Sequence, residues 1–432
     1  LVEVIWRMQR NLAITGWATM LSQMTNMTSD IEYELPRGFR WAAAASGIRK
    51  PGRPDVGLIA ADKPCPAAAT FTQNAFCAAP VILSRELLSK TEGFARGVVV
   101  NSGCANAATG DEGMANARAM SALAALETGG GGEDAPGAFL VCSTGTIGVQ
   151  LPMDKLGKGI SEAASRLGAA RESFDQFSRS ILTTDTRQKI AWAQFKVNDA
   201  TVRIIACAKG SGMIYPRMAT LLAFTATDAA IEPAALQSMF SRTVEKSLNC
   251  LTVDGDTSTN DTAVILASGA SGVEIVPGSD AASLFEAHLL DVLQQLAMML
   301  AADGEGATKL IEVHIASAGG FEAARRVALA IANSNLVKTA IYGKDANWGR
   351  ICCAIGNSGV AVDPARVTVW LGPIKLFEAG APAPFDEEAA LKILSERTVR
   401  IRADLGIASG EATVWTCDFT EKYIEINGAY RT

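Results

Sequence analysis

Short blocks of hydrophobic residues along the chain predict strands, and longer stretches with apolar residues at helical spacing predict helices. The predicted strands are 55–61, 79–83, 97–101, 139–142, 190–197, 201–208, a segment ending at 227, 309–317, 367–370, 398–405 and 412–426. The predicted helices are 111–126, 153–167, 172–182, 233–248 and 284–300. Strands 190–197 and 201–208 follow one another closely enough to pair as a hairpin. The pattern therefore predicts a mixed α/β chain, of the α+β type, with sheets that are largely not parallel.

The bulk composition narrows the class of protein. In 432 residues the hydrophobic fraction is 49% and the net charge is −6, which argues against nucleic acid as a partner. No uninterrupted apolar run is long enough to cross a bilayer, so we expect a soluble chain without a membrane partner. Nine cysteines occur without a Cys-x-x-Cys pair, which is typical of neither a disulfide scaffold nor a zinc site. We therefore predict a reducing compartment and no bound metal.

Two segments differ in composition from the rest of the chain. Residues 1–28 are poor in acidic residues, and we interpret them as an N-terminal extension outside the fold. A start codon set too far upstream is the preferred explanation, and an organelle transit peptide is the alternative. Residues 128–137 include four consecutive glycines and are predicted to form an exposed, flexible loop.

The segment from Lys209 to Asp228 carries the strongest candidate chemistry. Two glycines and a proline interrupt its pattern, and a small residue, Ala219, then precedes Thr220 at the start of an apolar run. If the chain is cut between these two residues, the freed α-amino group of the threonine can act as the base for its own hydroxyl. The alternative is an ordinary loop that leads into a buried strand.

A shortage of histidine limits the available mechanisms. The chain contains only His288, in a predicted helix, and His314, in a predicted strand. A Ser-His-Asp or Cys-His catalyst needs an imidazole as proton carrier, and neither histidine lies near a Gly-x-Ser-x-Gly nucleophile elbow. Acyl chemistry in this protein therefore favours a base other than histidine.

Glycine follows a predicted strand at three junctions, which are Asn101–Gly103, Ser143–Gly145 and Lys209–Gly212. Such glycines let backbone N–H groups converge on an anion, as in an oxyanion hole, although glycine also simply turns corners. No junction matches the Gly-x4-Gly-Lys-Ser/Thr phosphate loop, and no Gly-x-Gly-x-x-Gly opens a helix after a strand. The sequence therefore disfavours a nucleotide-binding protein.

Two groups of acidic residues have alternative interpretations. Asp254, Asp256 and Asp261 do not fit the calcium-loop pattern, which leaves a polar hydrogen-bonded loop or a magnesium site. Glu305 lies between two glycines just after a predicted helix. It is either a solvated turn carboxylate or a charge that faces an ammonium group of a substrate.

Eleven segments, in one order and at matching spacing, carry a family resemblance that runs from about residue 30 to the end of the chain. They are Pro36–Phe39, Asn101–Gly103, Ser143–Gly148, Leu151–Lys155, Thr183–Thr186, Lys209–Ile214, Met218–Phe224, Asp254–Thr262, Asp303–Lys309, Val337–Arg350 and Ile426–Thr432. Together they resemble the ArgJ family of ornithine acetyltransferases (glutamate N-acetyltransferases) of arginine biosynthesis. Members of this family cut themselves before the threonine of their Met-Ala-Thr segment, which corresponds to Ala219-Thr220.

The resemblance implies a role for each matching residue. Thr220 is the expected nucleophile, and Thr144 with Gly145 is the expected oxyanion hole. The residues expected to line the substrate site, besides Thr220, are Thr183, Lys209, Glu305, Asn427 and the C-terminal Thr432.

The same resemblance implies a reaction and an architecture. The reaction is ping-pong transfer of acetyl from N2-acetyl-L-ornithine to L-glutamate, with no cofactor and with acetyl-CoA left open as a second donor. The fold is a sandwich of two β layers covered by helices, with a smaller C-terminal α/β unit from about residue 331. An α chain (29–219) and a β chain (220–432) are expected to assemble as α2β2 in the cytoplasm, or in an organelle matrix if residues 1–28 are a transit peptide.

Two alternatives remain open from the sequence. A self-processing amidohydrolase or aminopeptidase of the same fold would use water in place of glutamate as the acceptor. A binding or scaffold protein would retain the fold without processing. Hydrolysis of an acyl-ornithine without glutamate supports the hydrolase, whereas a chain that is never cut supports the scaffold.

Overall fold

The computed structural model describes residues 33–49, 52–129, 137–215 and 221–429, and the elements below all belong to the unit that begins at Leu35. The strands are β1 (Phe39–Ala44), β2 (Val56–Phe71), β3 (Phe94–Cys104), β4 (Phe139–Thr146), β5 (Lys189–Val197), β6 (Ala200–Lys209), β7 (Leu222–Thr227), β8 (Thr262–Ala267), β9 (Leu310–Ala318), β10 (Thr368–Leu371), β11 (Ile374–Glu378), β12 (Ala381–Pro382), β13 (Thr398–Asp404) and β14 (Gly410–Cys417). The helices are α1 (Ala79–Lys90), α2 (Gly110–Glu127), α3 (Met153–Ser165), α4 (Arg171–Ser180), α5 (Pro233–Glu245), α6 (Asp280–Ala302), α7 (Phe321–Ala332), α8 (Asn335–Tyr342), α9 (Trp348–Gly356), α10 (Glu387–Ser395) and α11 (Glu421–Ala429).

The first eight strands form one sheet in the order β4-β3-β2-β8-β7-β6-β5, with β1 paired to β2. Strand β2 is the strand at which this sheet bends. Its residues 56–61 pair with β1, its residues 67–71 pair with β8, and its register to β3 shifts between Ala60 and Cys65. A bulge of this kind bends a strand and lets it pass from one layer to another.

One side-chain contact shows how far the sheet folds over. Thr144 of β4 and Lys209 of β6 lie 3.3 Å apart, measured from Oγ1 to Nζ. In a flat sheet these strands would be separated by five strand spacings, or about 24 Å. The sheet therefore closes into two facing β layers, as the resemblance implied, and the ends of β4 and β6 meet.

The last six strands form a second sheet in the order β12-β11-β10-β13-β9-β14. Among the described strands of this second sheet, the pair of β9 and β13 is parallel. The first sheet has two parallel pairs, which are β3 with β4 and β7 with β8. The other pairings of the described strands are antiparallel. The prediction of a mixed chain with largely non-parallel sheets is confirmed.

Helix α6 joins the two sheets, because it packs against β5 and β6 of the first and against β9 and β14 of the second. Its length and composition would by themselves allow it to cross a membrane, and 56% of the relevant stretch is buried inside the protein. The contacts with both sheets are those of a core helix. The apolar face that makes the helix hydrophobic is covered by these strands.

One predicted strand is wrong, and another is predicted to extend too far. Residues 79–83 begin helix α1, with Pro80 in the first turn, where its missing N–H costs nothing. Its buried residues Pro80, Leu83, Ser84 and Leu87 follow the spacing of a helix face, which the predicted segment was too short to reveal. The predicted strand 412–426 ends at 417, and residues 421–429 form helix α11.

The end of strand β14 has a local cause. The Asp418 carboxylate accepts the backbone N–H groups of Thr308 and Lys309, and the Thr420 hydroxyl donates to the carbonyl of Gly306. These side chains bind the chain to the turn before β9, so the strand cannot continue past them. Strands β1, β8, β11 and β12 and helices α7 to α10 were not predicted. The proposed extension 1–28 and most of the glycine-rich loop 128–137 lie outside the described residues.

Candidate active site

Two of the three glycine junctions lie side by side, because β3 and β4 are parallel neighbours. Asn101 is aligned with Ser143, and Gly103 is aligned with Gly145. The Ser143 hydroxyl donates to Asn101 Oδ1 at 2.6 Å, and both side chains are buried. Strand pairing thus brings together two segments that the sequence separates by about forty residues.

Gly145 occupies a conformation and a space that exclude a side chain. Its φ of +134° lies in the region that L-residues avoid, and a Cβ built on it would stand 2.3 Å from the carbonyl carbon of Gly103. The neighbouring residue Thr144 is buried, with 5% of its surface exposed. Only glycine therefore fits at this closely packed strand end, directly after the buried hydroxyl of Thr144.

Lys209, at the end of β6, is 2% exposed, and burial lowers the pKa of its ammonium below the usual range of lysine. The carboxylates of Asp185, Asp261 and Glu305 act in the opposite direction, while the nearby Lys189 also lowers this pKa. Lys209 donates to the Thr144 hydroxyl at 3.3 Å. The structure thus brings these two predicted site residues into contact.

Asp185 connects the Thr183 segment to the end of β6. Its carboxylate accepts the N–H of Thr183 at 3.0 Å, the N–H of Gly210 at 2.7 Å and the Lys189 ammonium at 2.5 Å. Burial alone would raise the pKa of Asp185, but Lys209, Lys189 and the Gly210 N–H outweigh burial and lower it. This carboxylate is therefore held in its charged form next to the predicted site.

Lys189 lies fully buried between two carboxylates. It contacts Asp185 at 2.5 Å and Asp303 at 2.6 Å, and Asp303 in turn accepts the N–H and the hydroxyl of Thr186. A buried charge is tolerated only when it is paired and hydrogen-bonded in this way. Asp185, Lys189 and Asp303 were not predicted to support the site, because the ion pair of Lys189 with Asp303 joins residues 114 positions apart and forms only across the fold.

Glu305 and Asn427 also meet. Asn427 Nδ2 donates to Glu305 Oε2 at 2.9 Å, and the N–H of Glu305 donates to the carbonyl of Ser211 at 2.7 Å. A Cβ on Gly212 would stand 2.4 Å from the Glu305 carboxylate, so a larger residue at this position would displace the carboxylate. Glu305 is half-buried, as is Thr183, and Asn427 is exposed.

The loop that follows β6 is anchored by Asp254. Its carboxylate accepts the N–H groups of Met213 and Ile214 at 2.6 and 2.8 Å, and the Tyr423 hydroxyl donates to it at 3.1 Å. Burial raises the pKa of Asp254, and these donors act against burial. The polar segment around Asp254 therefore forms a hydrogen-bonded loop. Among the described residues, no group of three or more His, Cys, Asp or Glu side chains is arranged to hold a metal ion.

Asp261 anchors the chain where it enters β7. Its Oδ1 accepts the N–H of Leu221 at 2.9 Å, and its carboxyl is fully buried. Its Oδ2 has no hydrogen-bond partner among the described residues, and burial raises the pKa of this carboxyl well above the usual range. Together with Asp254, it fixes the chain on both sides of the predicted cleavage site.

Three of the predicted site residues cannot be placed. Ala219, Thr220 and the C-terminal Thr432 lie outside the described residues. The structure brings together Thr144 with Lys209, and Glu305 with Asn427, while Thr183 is bound to the same carboxylate as Gly210. Lys209 lies next to the start of β7, because it is aligned with Leu222 in the pairing of β6 and β7.

The two histidines lie elsewhere and have structural contacts. His288 stacks on Phe195 with ring centroids 4.5 Å apart, and His314 Nδ1 lies 3.0 Å from the hydroxyl of Thr413. Burial lowers the pKa of both imidazoles. The two described contacts of the histidines are therefore with Phe195 and Thr413, and neither of these partners is a predicted site residue.

Comparison with known proteins gives the same family by two routes, a family model and individual relatives. Residues 40–432 match the ArgJ family. The "Arginine biosynthesis bifunctional protein ArgJ" of Symbiobacterium thermophilum is 47% identical over 401 residues, which cover 92% of this chain and 98% of that protein. The mitochondrial protein of the same name from Schizosaccharomyces japonicus is 44% identical over 407 residues, which cover 92% of this chain and 93% of that protein.

A solved structure with a similar sequence matches about half of this chain. The structure of the arginine biosynthesis bifunctional protein argJ from Bacillus halodurans is 43% identical, with a TM-score of 0.47, and covers 48% of this chain and 98% of that chain.

Proposed function

This chain belongs to the ArgJ family and is an acyltransferase, and from this premise we propose that it transfers acetyl from N2-acetyl-L-ornithine to L-glutamate in arginine biosynthesis. The observation that carries the proposal is the contact between the buried Lys209 and Thr144 beside Gly145. It joins an ammonium, a hydroxyl and a backbone N–H at one point of the fold. Such a group of donors suits the negative charge that develops on a carbonyl oxygen during acyl transfer.

In the proposed mechanism, Thr220 is the nucleophile of a ping-pong reaction. Its hydroxyl attacks the acetyl carbonyl of N-acetylornithine, and its own α-amino group takes the proton. An unperturbed α-amino group has a pKa of about 7.7–8.0, so a large fraction of it is neutral near pH 7.5. The Thr144 hydroxyl and the Gly145 N–H stabilise the oxyanion, and the α-ammonium passes the proton to the ornithine nitrogen as the C–N bond breaks. Ornithine leaves, and glutamate then takes the acetyl group from the threonine ester.

The proposed reaction needs no cofactor and no metal ion, since the nucleophile, the base and the oxyanion donors all come from the chain. The curated relatives are named bifunctional proteins, and acetyl-CoA is included here as a second acetyl donor. The partners are the small-molecule substrates and the two chains of one precursor, assembled as α2β2. We place the enzyme in the cytoplasm, or in an organelle matrix if residues 1–28 act as a transit peptide.

The direct test is the formation of N-acetylglutamate by purified wild-type protein, with N-acetylornithine and acetyl-CoA supplied separately as donors. Formation from N-acetylornithine and glutamate supports the proposal, and formation from acetyl-CoA adds the second activity. Release of acetate from N-acetylornithine at a rate that glutamate does not affect would instead identify an amidohydrolase.

Glu305 is proposed to bind the side-chain ammonium of the ornithine portion. We expect Glu305→Gln to weaken binding of acetylornithine and ornithine by about 1.5–3 kcal/mol, the range for a hydrogen bond to a charged group. The substitution keeps the shape of the side chain and an oxygen that can accept from Asn427. Steady-state kinetics with acetylornithine as donor measure the effect.

A matched control is available on the surface of helix α6. Glu286 lies near the start of this helix, whereas Glu305 follows its end, and Glu286 pairs with Arg242 at 2.7 Å. Glu286→Gln should therefore leave the kinetics unchanged. Wild-type kinetics in Glu305→Gln would remove Glu305 from the substrate site.

A further inference from the structure

The contact between Lys209 and Thr144 has a direction that follows from the chemistry of the two groups. A lysine ammonium has three donors and no acceptor, whereas a hydroxyl has one hydrogen and two lone pairs. Because Lys209 Nζ lies 3.3 Å from Thr144 Oγ1, a charged Lys209 makes the hydroxyl the acceptor of this hydrogen bond. The hydroxyl hydrogen is then free to be donated to another group.

We propose that Lys209 is a positioning residue for acyl transfer, which turns the hydrogen of the Thr144 hydroxyl toward the oxyanion. This inference rests on the proposed oxyanion role of Thr144, and it goes beyond the substrate contact that the family resemblance assigns to Lys209. Both side chains are buried, so water does not compete strongly for the hydroxyl. A hydroxyl with a fixed direction needs little reorganisation when charge develops on the substrate.

The charge of Lys209 is essential to this role. A neutral amine has a lone pair, so the hydroxyl could reverse and donate to the lysine, which would withdraw it from the oxyanion. The titratable groups that act on Lys209 are Asp185, Asp261 and Glu305, whose ionised forms favour the ammonium, and Lys189, which opposes it. Burial also favours the neutral amine and lowers the pKa of Lys209. The activity should therefore fall as the pH rises through the pKa of Lys209.

Asp185 provides a test of this charge dependence. Asp185→Asn keeps the shape of the side chain and removes the carboxylate that contributes most to keeping Lys209 charged. The pKa of Lys209 should therefore fall further, and the alkaline limb of the rate profile should move to lower pH. The measurement is the rate of acylation as a function of pH in wild type and in Asp185→Asn. An alkaline limb at the same pH in both proteins would contradict the proposal.

A substrate without an amino-acid portion separates positioning from substrate binding. p-Nitrophenyl acetate can acylate the nucleophilic threonine. The acetyl group moves to the threonine oxygen, the hydroxyl proton passes to the α-amino group, and nitrophenolate leaves. We expect Lys209→Met to slow this acylation about 10-fold to 100-fold, less than the 10²–10³-fold cost of removing an oxyanion donor. An effect confined to the KM for acetylornithine would show that Lys209 only binds the substrate.

A double-substitution cycle tests whether Lys209 acts through the hydroxyl. In a Thr144→Ala background the hydroxyl is gone, and Lys209→Met should then change the acylation rate less than about 2-fold, because coupled residues do not have additive effects. Multiplication of the two single effects would overturn the proposal. Lys309→Met is the matched control, since it removes another buried lysine, whose ammonium donates to the carbonyl of Glu396.

Rates are expressed per cut chain, as measured by gel electrophoresis, so that a defect in processing is not counted as a defect in acylation. If Lys209→Met is not cut, the pH profiles of wild type and Asp185→Asn decide the question. Wild-type protein that reacts with p-nitrophenyl acetate but forms no N-acetylglutamate would contradict the proposed substrates, while the role of Lys209 is still measured.

Discussion

Thr220→Ala is expected to give a single uncut chain without acetyltransferase activity, whereas the wild type should yield two fragments, residues 1–219 and 220–432. Before the cut, the threonine hydroxyl can attack the carbonyl of Ala219 in an N-to-O acyl shift. This shift frees the α-amino group that the second reaction requires as its base, and hydrolysis of the resulting ester separates the two fragments and restores the threonine hydroxyl. Loss of the hydroxyl therefore removes both reactions. Gel electrophoresis and assays of N-acetylglutamate formation measure the two losses.

The described residues on either side of the Ala219–Thr220 bond are fixed by hydrogen bonds from their backbone N–H groups to two carboxylates. This suits a reaction that needs a fixed geometry. Asp254 binds Met213 and Ile214, and Asp261 binds Leu221. Thr220→Ser keeps a hydroxyl and should still be cut, and Edman sequencing of the C-terminal fragment of the wild type should begin Thr-Leu-Leu-Ala-Phe. A wild-type enzyme that is fully active as one unbroken chain would exclude the N-terminal nucleophile mechanism.

Thr144→Ala is expected to slow acetyl transfer about 10²–10³-fold, the cost of losing one of two oxyanion donors. Affinity for the acetyl donor and thermal stability should change little, because the substitution removes only a hydroxyl and a methyl group. The measurement is kcat and KM with acetylornithine, together with a melting curve. Thr144→Ser keeps the hydroxyl and should therefore retain most of the wild-type rate.

A fully active Thr144→Ala enzyme would place the oxyanion donors elsewhere. The neighbouring Asn101–Gly103 junction is the next candidate, since it is aligned with Ser143–Gly145 in the parallel pairing of β3 and β4.

Local sequence patterns were enough for much of the fold. The hairpin of β5 and β6 was predicted nearly to its ends, because its strands carry clear apolar blocks and are joined by a short turn. Helix α1 was not, because Ala79–Leu83 is apolar in either conformation and its helical spacing becomes visible only when Leu87 is included. Strand β14 was predicted to extend too far, since its end depends on Asp418 and Thr420, which bind a turn more than a hundred residues earlier in the chain.

The sequence by itself determined the family and the identity of the candidate residues, because both depend on residue types in a fixed order. The tertiary structure alone decided which of these residues meet. The contact of Thr144 with Lys209 exists because the bent strand β2 folds one layer over the other, and no local pattern encodes a distance across that fold. The same holds for Lys189, which forms two ion pairs in the interior because Asp185 and Asp303, separated by more than a hundred residues, converge on it.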